Sequence, residues 1–264
     1  MSRIIVVTSG KGGVGKSTVT ANLGTAIAAL GCSVALVDAD FGLRNLDLLL
    51  GLENRIVYTA LDVVAETCTL EKALVKDKRQ PGLGLLPAAQ NRNKESITPE
   101  QMHDLVKGLA ATHDYVLVDC PAGIEGGFRN AIAAAEEALI VTTPEVAAVR
   151  DADRVVGLLE NENIKRINLI VNRVRPELIQ QQDMLSVEDI LDLLVVPLIG
   201  IVPDDERVIV ATNRGEPLVL STQPSLPAMA FRNIAQRMEG KEVAYLDLMA
   251  AHDTLFNRIR RLFR

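Results

Sequence analysis

One string constrains this chain more than any other: Ser9-Gly10-Lys11-Gly12-Gly13-Val14-Gly15-Lys16-Ser17-Thr18, with an apolar run at 4–7 directly before it and a helical pattern at 19–30 directly after. Strand, glycine loop and helix in that order make a concave surface of backbone N–H groups. Glycine lets the chain curl closely around a polyphosphate without a Cβ in the way, and the helix N-terminus adds its positive end. In the pattern G-x-x-x-x-G-K-[ST], Lys16 is placed for the β and γ phosphates and the Ser17 hydroxyl for the Mg²⁺ that accompanies them. The loop residues Lys11, Gly12, Gly13, Val14, Gly15, Lys16, Ser17 and Thr18 are the expected phosphate contacts.

Lys11 has no place in an ordinary loop of this kind. Two ammonium groups held close together repel unless an anion lies between them. Either Lys11 adds positive charge near the phosphates of its own chain, or it serves another site.

At 264 residues the chain suffices for one large α/β domain, and its 48% hydrophobic content, without Trp, suits a parallel sheet covered on both faces. The net charge of −6 and a pI near 5.2 do not advertise a broad nucleic-acid surface. Cys32, Cys68 and Cys120 are scattered without C-x-x-C spacing, which reads as reduced thiols of a cytosolic protein, and no metal cluster beyond Mg²⁺ is expected. Only four apolar residues separate Arg3 from the glycine loop, too few for a secretory signal, and no apolar run reaches membrane-spanning length.

Past Gly31 the run 33–37 reads as a buried strand ending in Asp38-Ala39-Asp40. Ligands gather at the carboxyl ends of parallel strands, so both aspartates are expected to face the loop. One would act on the Mg²⁺ through its waters and the other would orient an attacking water; alternatively, one caps the next helix. The loop 41–47 follows, and its Arg44 and Asp47 read equally well as surface charges.

Residues 53–79 have a helical pattern without a motif. Residues 83–86 read as a strand, and 98–109 as a helix capped by Thr98 with Pro99 in its first turn. The run 115–118 ends in Asp119-Cys120-Pro121-Ala122-Gly123, an acid on a strand beside the phosphate loop, with Gly123 as a hinge that can move when the γ phosphate leaves. Asp119 is expected in the metal shell through water. After a strand at 139–142, residues 143–154 read as a helix with charges on one face. Strands at 167–171 and 198–202 close on Asn172-Arg173 and Pro203-Asp204. An Asn amide can pair with both edges of adenine, although Asn172 also reads as a turn residue. At least seven strands alternate with helices, which implies right-handed crossovers and a doubly wound, mostly parallel sheet.

The expected domains are 1–240, a linker at 241–254 and a helix at 255–264. At 100° per residue Leu255, Phe256, Ile259, Leu262 and Phe263 fall in an arc of about 120°, with Arg258, Arg260, Arg261 and Arg264 outside it. A basic amphipathic helix of this kind suits an anionic membrane surface, with core packing as the other reading.

The loop with its second lysine, Asp38-Ala39-Asp40, the string 41–47, Asp119-Cys120-Pro121-Ala122-Gly123 and the tail together resemble the MinD/ParA ATPases with a "deviant" Walker A motif, the MinD branch more closely than ParA. The resemblance implies a P-loop NTPase fold and ATP hydrolysis with Mg²⁺. It also implies a homodimer with ATP in which Lys11 reaches the nucleotide of the facing subunit, so that Lys11, Lys16 and Asp40 are the catalytic set. Asp38 would then act on the metal through water and Asp40 on the attacking water. Asn172, Arg173, Pro203 and Asp204 would form the base site. For the cell, the resemblance implies division-site selection: a protein cytoplasmic and peripheral on the inner membrane, recruiting the septum inhibitor MinC and released by a topological factor such as MinE. Three rivals share parts of this pattern. A ParA-like DNA-partitioning ATPase requires a basic dimer face, a phosphoryl-transferring enzyme has no need of Lys11, and a non-hydrolysing membrane scaffold has no need of Asp40.

Overall fold

The computed structural model describes residues 2–41, 43–89, 97–124 and 126–248. The strands are β1 (Arg3–Thr8), β2 (Val34–Asp38), β3 (Val75–Lys76), β4 (Leu83–Leu86), β5 (Tyr115–Asp119), β6 (Glu137–Thr142), β7 (Arg166–Val174) and β8 (Leu198–Pro203). They form one eight-stranded sheet in the order β3-β4-β2-β5-β1-β6-β7-β8. Every pairing is parallel except β3 with β4. β1, β2, β4 and β5 are buried almost throughout because helices cover both faces, which is why they read as unbroken apolar runs.

The helices in chain order are α1 (Lys16–Ala29), α2 (Leu46–Leu49), α3 (Ala60–Val64), α4 (Leu70–Ala73), α5 (Pro99–Ala110), α6 (Gly126–Ile132), α7 (Val146–Asn161), α8 (Pro176–Gln180), α9 (Val187–Leu194), α10 (Glu206–Asn213) and α11 (Leu226–Met238). On one face α5, α6, α7 and α9 close a core around Val118, Ile140, Val155 and Leu159. On the other, α1 and α11 close a core around Leu23, Ile27, Leu36, Phe231 and Ile234. α1 is buried nearly all round, since the sheet lies beneath it and α11 beside it.

Thr98 caps α5 as its sequence indicates: its hydroxyl accepts from the Gln101 N–H, and the Gln101 side chain accepts from the Thr98 N–H. The helical reading of 53–79 is corrected. That stretch holds a 3-10 turn, the short helices α3 and α4 and the edge strand β3. Capping boxes and turns stop each piece before it can lengthen; α3, for example, starts at the Thr59–Asp62 box and gives way to Glu66 in the left-handed region. The surface-charge reading of Arg44 and Asp47 is also corrected, because they form an ion pair of 2.7 Å with both side chains at least 90% buried.

Residues 241–248 of the expected linker lie against the domain. Arg237 donates to the carbonyls of Val243, Ala244 and Ile199, and its guanidinium sits 4.1 Å from the centre of the Tyr245 ring. Tyr245 in turn donates to the Leu198 carbonyl on β8. The expected helix at 255–264, with Leu255, Phe256, Arg258, Ile259, Arg261, Leu262 and Phe263, falls outside the described residues. So does the remainder of the linker.

Candidate nucleotide site

β1, β2, β5 and β6 deliver the carboxyl ends of four neighbouring strands to one rim of the sheet, and the glycine loop rises from the middle of it. Gly13 (φ 80°) and Gly15 (φ 96°) occupy the left-handed region. Gly10 is required for a different reason: a Cβ there would stand 2.2 Å from the backbone carbonyl of Asp151, so α7 packs directly on the loop. α1 starts at Lys16 with Gly15 as its N-cap, without a side-chain cap and without an acid in the first turn. The helix's own cap and first turn therefore offer its first N–H groups no competing acid.

Lys16 is 7% exposed. A buried ammonium is costly unless an anion meets it. Its positive charge reaches Asp119, whose carboxyl sits at the end of β5 and accepts from the Thr20 hydroxyl at 3.0 Å and from Ser17. Burial nevertheless pushes Asp119 up to about 6; the Ser17 bond, Lys16 and Thr20 oppose that shift, and the neighbouring Asp40 adds to it. Asp38 is directly beside Asp119 in the β2–β5 register. Burial, then the Asp119 charge, push Asp38 up to about 7, against three backbone N–H groups that donate to it. Those donors are Asp40 at 3.0 Å on one oxygen, and Asn45 at 3.1 Å and Leu46 at 3.2 Å on the other. Asp38 thus anchors the 41–47 loop and the start of α2, and any action on a metal is additional to that duty.

Asp40 follows β2 and lines a cavity of about 510 Å³ with Phe41, Pro121, Ala122 and Phe128. Lys11 is turned toward α7: its ammonium pairs at 3.0 Å with Glu145, just ahead of that helix, and both side chains are more than a third exposed. The loop Lys11 and the loop Lys16 therefore face different surroundings, one solvated and one enclosed.

Asn172 is brought to the loop by a bulge. The β7–β8 register runs Val171 to Ile201 and then Val174 to Pro203, so two residues of β7 stand opposite one of β8, with Arg173 at φ 57°. The Asn172 amide donates to the Val14 carbonyl at 2.8 Å, and its nitrogen leaves no room for a Cβ at Gly15. One of its donors is thus committed to fixing the phosphate loop. Arg173 is exposed at the bulge, Pro203 is buried, and exposed Asp204 pairs with Arg175 at 2.9 Å. These residues form a second cluster beside the loop, apart from the Asp38–Asp119 pair.

Two participants escaped the sequence reading. Thr20 lies one helical turn beyond Lys16, a spacing that puts its hydroxyl on the same face toward β5. Glu145 had no signal beyond its place in the 143–154 string.

The residues fit a magnesium nucleoside triphosphate. An uncapped helix start, an enclosed lysine and a hydroxyl already bonded to a strand-end carboxylate form the donor set that such a ligand needs. Lys16 and Ser17 would hold it, with Asp119 and Asp38 acting through water, and the metal would neutralise charge on the phosphate oxygens.

The profile described as "CobQ/CobB/MinD/ParA nucleotide binding domain" matches residues 5–218. The chain belongs to that family and is an ATPase with the P-loop fold. It is 68% identical over 261 residues to the septum site-determining protein MinD of Synechocystis, covering 99% of this chain and 98% of that one. A solved MinC:MinD cell division complex from Aquifex aeolicus matches with a TM-score of 0.85 at 50% identity, over 92% of this chain and 98% of that one. MinD from Pyrococcus horikoshii, solved with Mg-ADP, matches with a TM-score of 0.83 at 33% identity, over 90% and 96%. Within the family, the chain stands with these MinD proteins as an ATPase of cell-division site selection.

Proposed function

We propose that this ATPase is a nucleotide-timed membrane switch: Mg·ATP joins two copies, the pair grips the inner membrane through 255–264 and presents a division inhibitor there, and hydrolysis releases it. The observation that carries the reading is the different placement of the two loop lysines. Lys16 is enclosed with Ser17 and Asp119, whereas Lys11 is partly exposed and, among the described residues, its ammonium pairs with the exposed Glu145. An exposed pair contributes ~0–1 kcal/mol, so Lys11 is readily given up to a phosphate on a facing copy. Asp40 orients the attacking water, and Asn172 keeps the loop in shape while Arg173, Pro203 and Asp204 border the base. MinC is the expected cargo, supported by the Aquifex aeolicus complex at 50% identity. A factor such as MinE is the expected trigger of hydrolysis.

Membrane binding follows from adding two weak anchors. One tail gains ~1.5 kcal/mol for each of five partly buried apolar side chains and ~1 for each arginine near an anionic leaflet. Ordering some ten residues costs ~1–2 kcal/mol each, so a single tail is close to break-even. Two tails on one dimer gain ~10²–10⁴ in avidity. The test is cosedimentation with anionic vesicles in ADP, ATP and a slowly hydrolysed analogue. Binding with the triphosphates alone, lost on deletion of 255–264 while ATP binding persists, is the expected result. Equal binding with ADP contradicts the switch.

A further inference from the structure

We propose that, away from lipid, the arginine-rich segment 255–264 docks on the exposed corner formed by α9 and the turn into β8 of its own chain. The inference rests on the amphipathic reading of that segment but not on its binding a bilayer.

The inner face of α9 is buried through Ile190 and Leu194, yet Leu193 is 58% exposed and Val195, just past the helix, 84% exposed. Val195 is also held at φ 51°, the left-handed conformation, where glycine or asparagine ordinarily ends a helix and a β-branched residue is strained. An apolar, strained and solvated valine close to an exposed leucine is a surface without a partner among the described residues. The charged residues of α9 itself carry one sign: Glu188, Asp189 and Asp192 are all exposed. Exposed Glu160 and Glu162, at the C-terminal end of neighbouring α7, lie at the same end of the layer. Lys165, just ahead of β7, and Arg166, its first residue, are the exposed cations of that end, and Arg166 is already directed to Glu137 at 3.4 Å.

That charge selects the occupant. An anionic leaflet is repelled by Glu188 and Asp192, whereas a segment with five large apolar residues and four arginines complements both the apolar and the acidic parts. The chain also delivers the segment to this corner. Tyr245 bonds the Leu198 carbonyl on β8, an outermost strand of the sheet, and Leu246 packs on both cores. Leu248 is then buried in the core that contains Ile190, Leu194 and Val196. The strap therefore crosses the sheet edge from the α11 face to the α9 face. Seven residues further on, at up to ~3.3 Å each, Leu255 has ample reach to α9. A helix over 255–264 would be ~15 Å long, comparable with α9 itself.

The chain has no tryptophan, so Phe256→Trp gives a single reporter in the full-length protein. Acrylamide quenching is measured without lipid or nucleotide, against a peptide of residues 249–264 carrying the same substitution. A segment docked in three copies of four would lower quenching about fourfold relative to the peptide. Adding Leu193→Ser and Val195→Asn, the latter compatible with the left-handed backbone, should return quenching to the peptide value with far-UV dichroism and thermal midpoint retained. Quenching equal to the peptide from the outset overturns the proposal. So does protection that survives the α9 substitutions, or protection that depends on protein concentration, which would place the segment on a second copy.

Discussion

The paired carboxylates at the ends of β2 and β5 make the nucleotide-free protein pay in stability for a site built to receive a cation, and Asp119→Asn measures the effect. Asp119 moves from an ordinary 3.8 to about 6 on folding, chiefly through burial. A raised carboxyl favours the fold below its unfolded value and loses that advantage as pH climbs through the folded value. The rise corresponds to ~3 kcal/mol at pH 8, where the charge is fully present in both states. An asparagine removes the charge, and its amide can still meet the Ser17 and Thr20 hydroxyls, which accept as well as donate. The nucleotide-free variant is therefore expected to gain ~1–3 kcal/mol over wild type at pH 8 in urea denaturation, and roughly half of that at pH 5. With Mg·ATP the order reverses, because ligand binding stabilises the wild type and the variant has lost its hold on the metal. A variant less stable than wild type at pH 8 without nucleotide, or a gain that is the same at pH 5, refutes the reasoning.

Other substitutions probe other parts of the site. Gly10→Ala places a methyl 2.2 Å from the Asp151 backbone, and moving the loop by about an ångström is expected to cost ~10²-fold in ATP turnover, read as phosphate release. Arg44→Met strands the Asp47 carboxylate, whose side chain is 2% exposed; a loss of ~3 kcal/mol in urea denaturation is expected. Since Asp47 lies in the first turn of α2 and Asp38 holds the same segment, that variant should also slow hydrolysis more than it weakens ATP binding, a difference that single-turnover kinetics resolves.

The phosphate loop was legible because its chemistry leaves little choice: glycines at positive φ, a lysine and a hydroxyl between a strand and a helix form one arrangement. The strands of the central sheet were legible because burial on both faces turns each into an apolar run bounded by a turn. The stretch 53–79 was not, since its charges fit a helical period while Thr59, Asp62 and Glu66 cut it into short pieces. Arg44 and Asp47 looked like surface residues because nothing in a local pattern reveals that two opposite charges will be buried against each other. The bulge that aims Asn172 at Val14 was equally hidden, being a mismatch between β7 and β8 that exists only once they pair. Strand-end acids could be placed on the rim from sequence, but their division of labour could not. Only the structure shows that Asp38 is largely occupied with backbone N–H groups while Asp119 faces Ser17.

Everything proposed for the cell depends on a triphosphate joining two copies through Lys11. Light scattering on size-exclusion chromatography, with Asp40→Ala to slow hydrolysis and saturating Mg·ATP, reads that directly. The account predicts twice the 28.6 kDa chain mass with ATP, a single mass with ADP, and a single mass with ATP once Lys11→Ala is added. A single mass under all three conditions, or a dimer indifferent to Lys11, contradicts it.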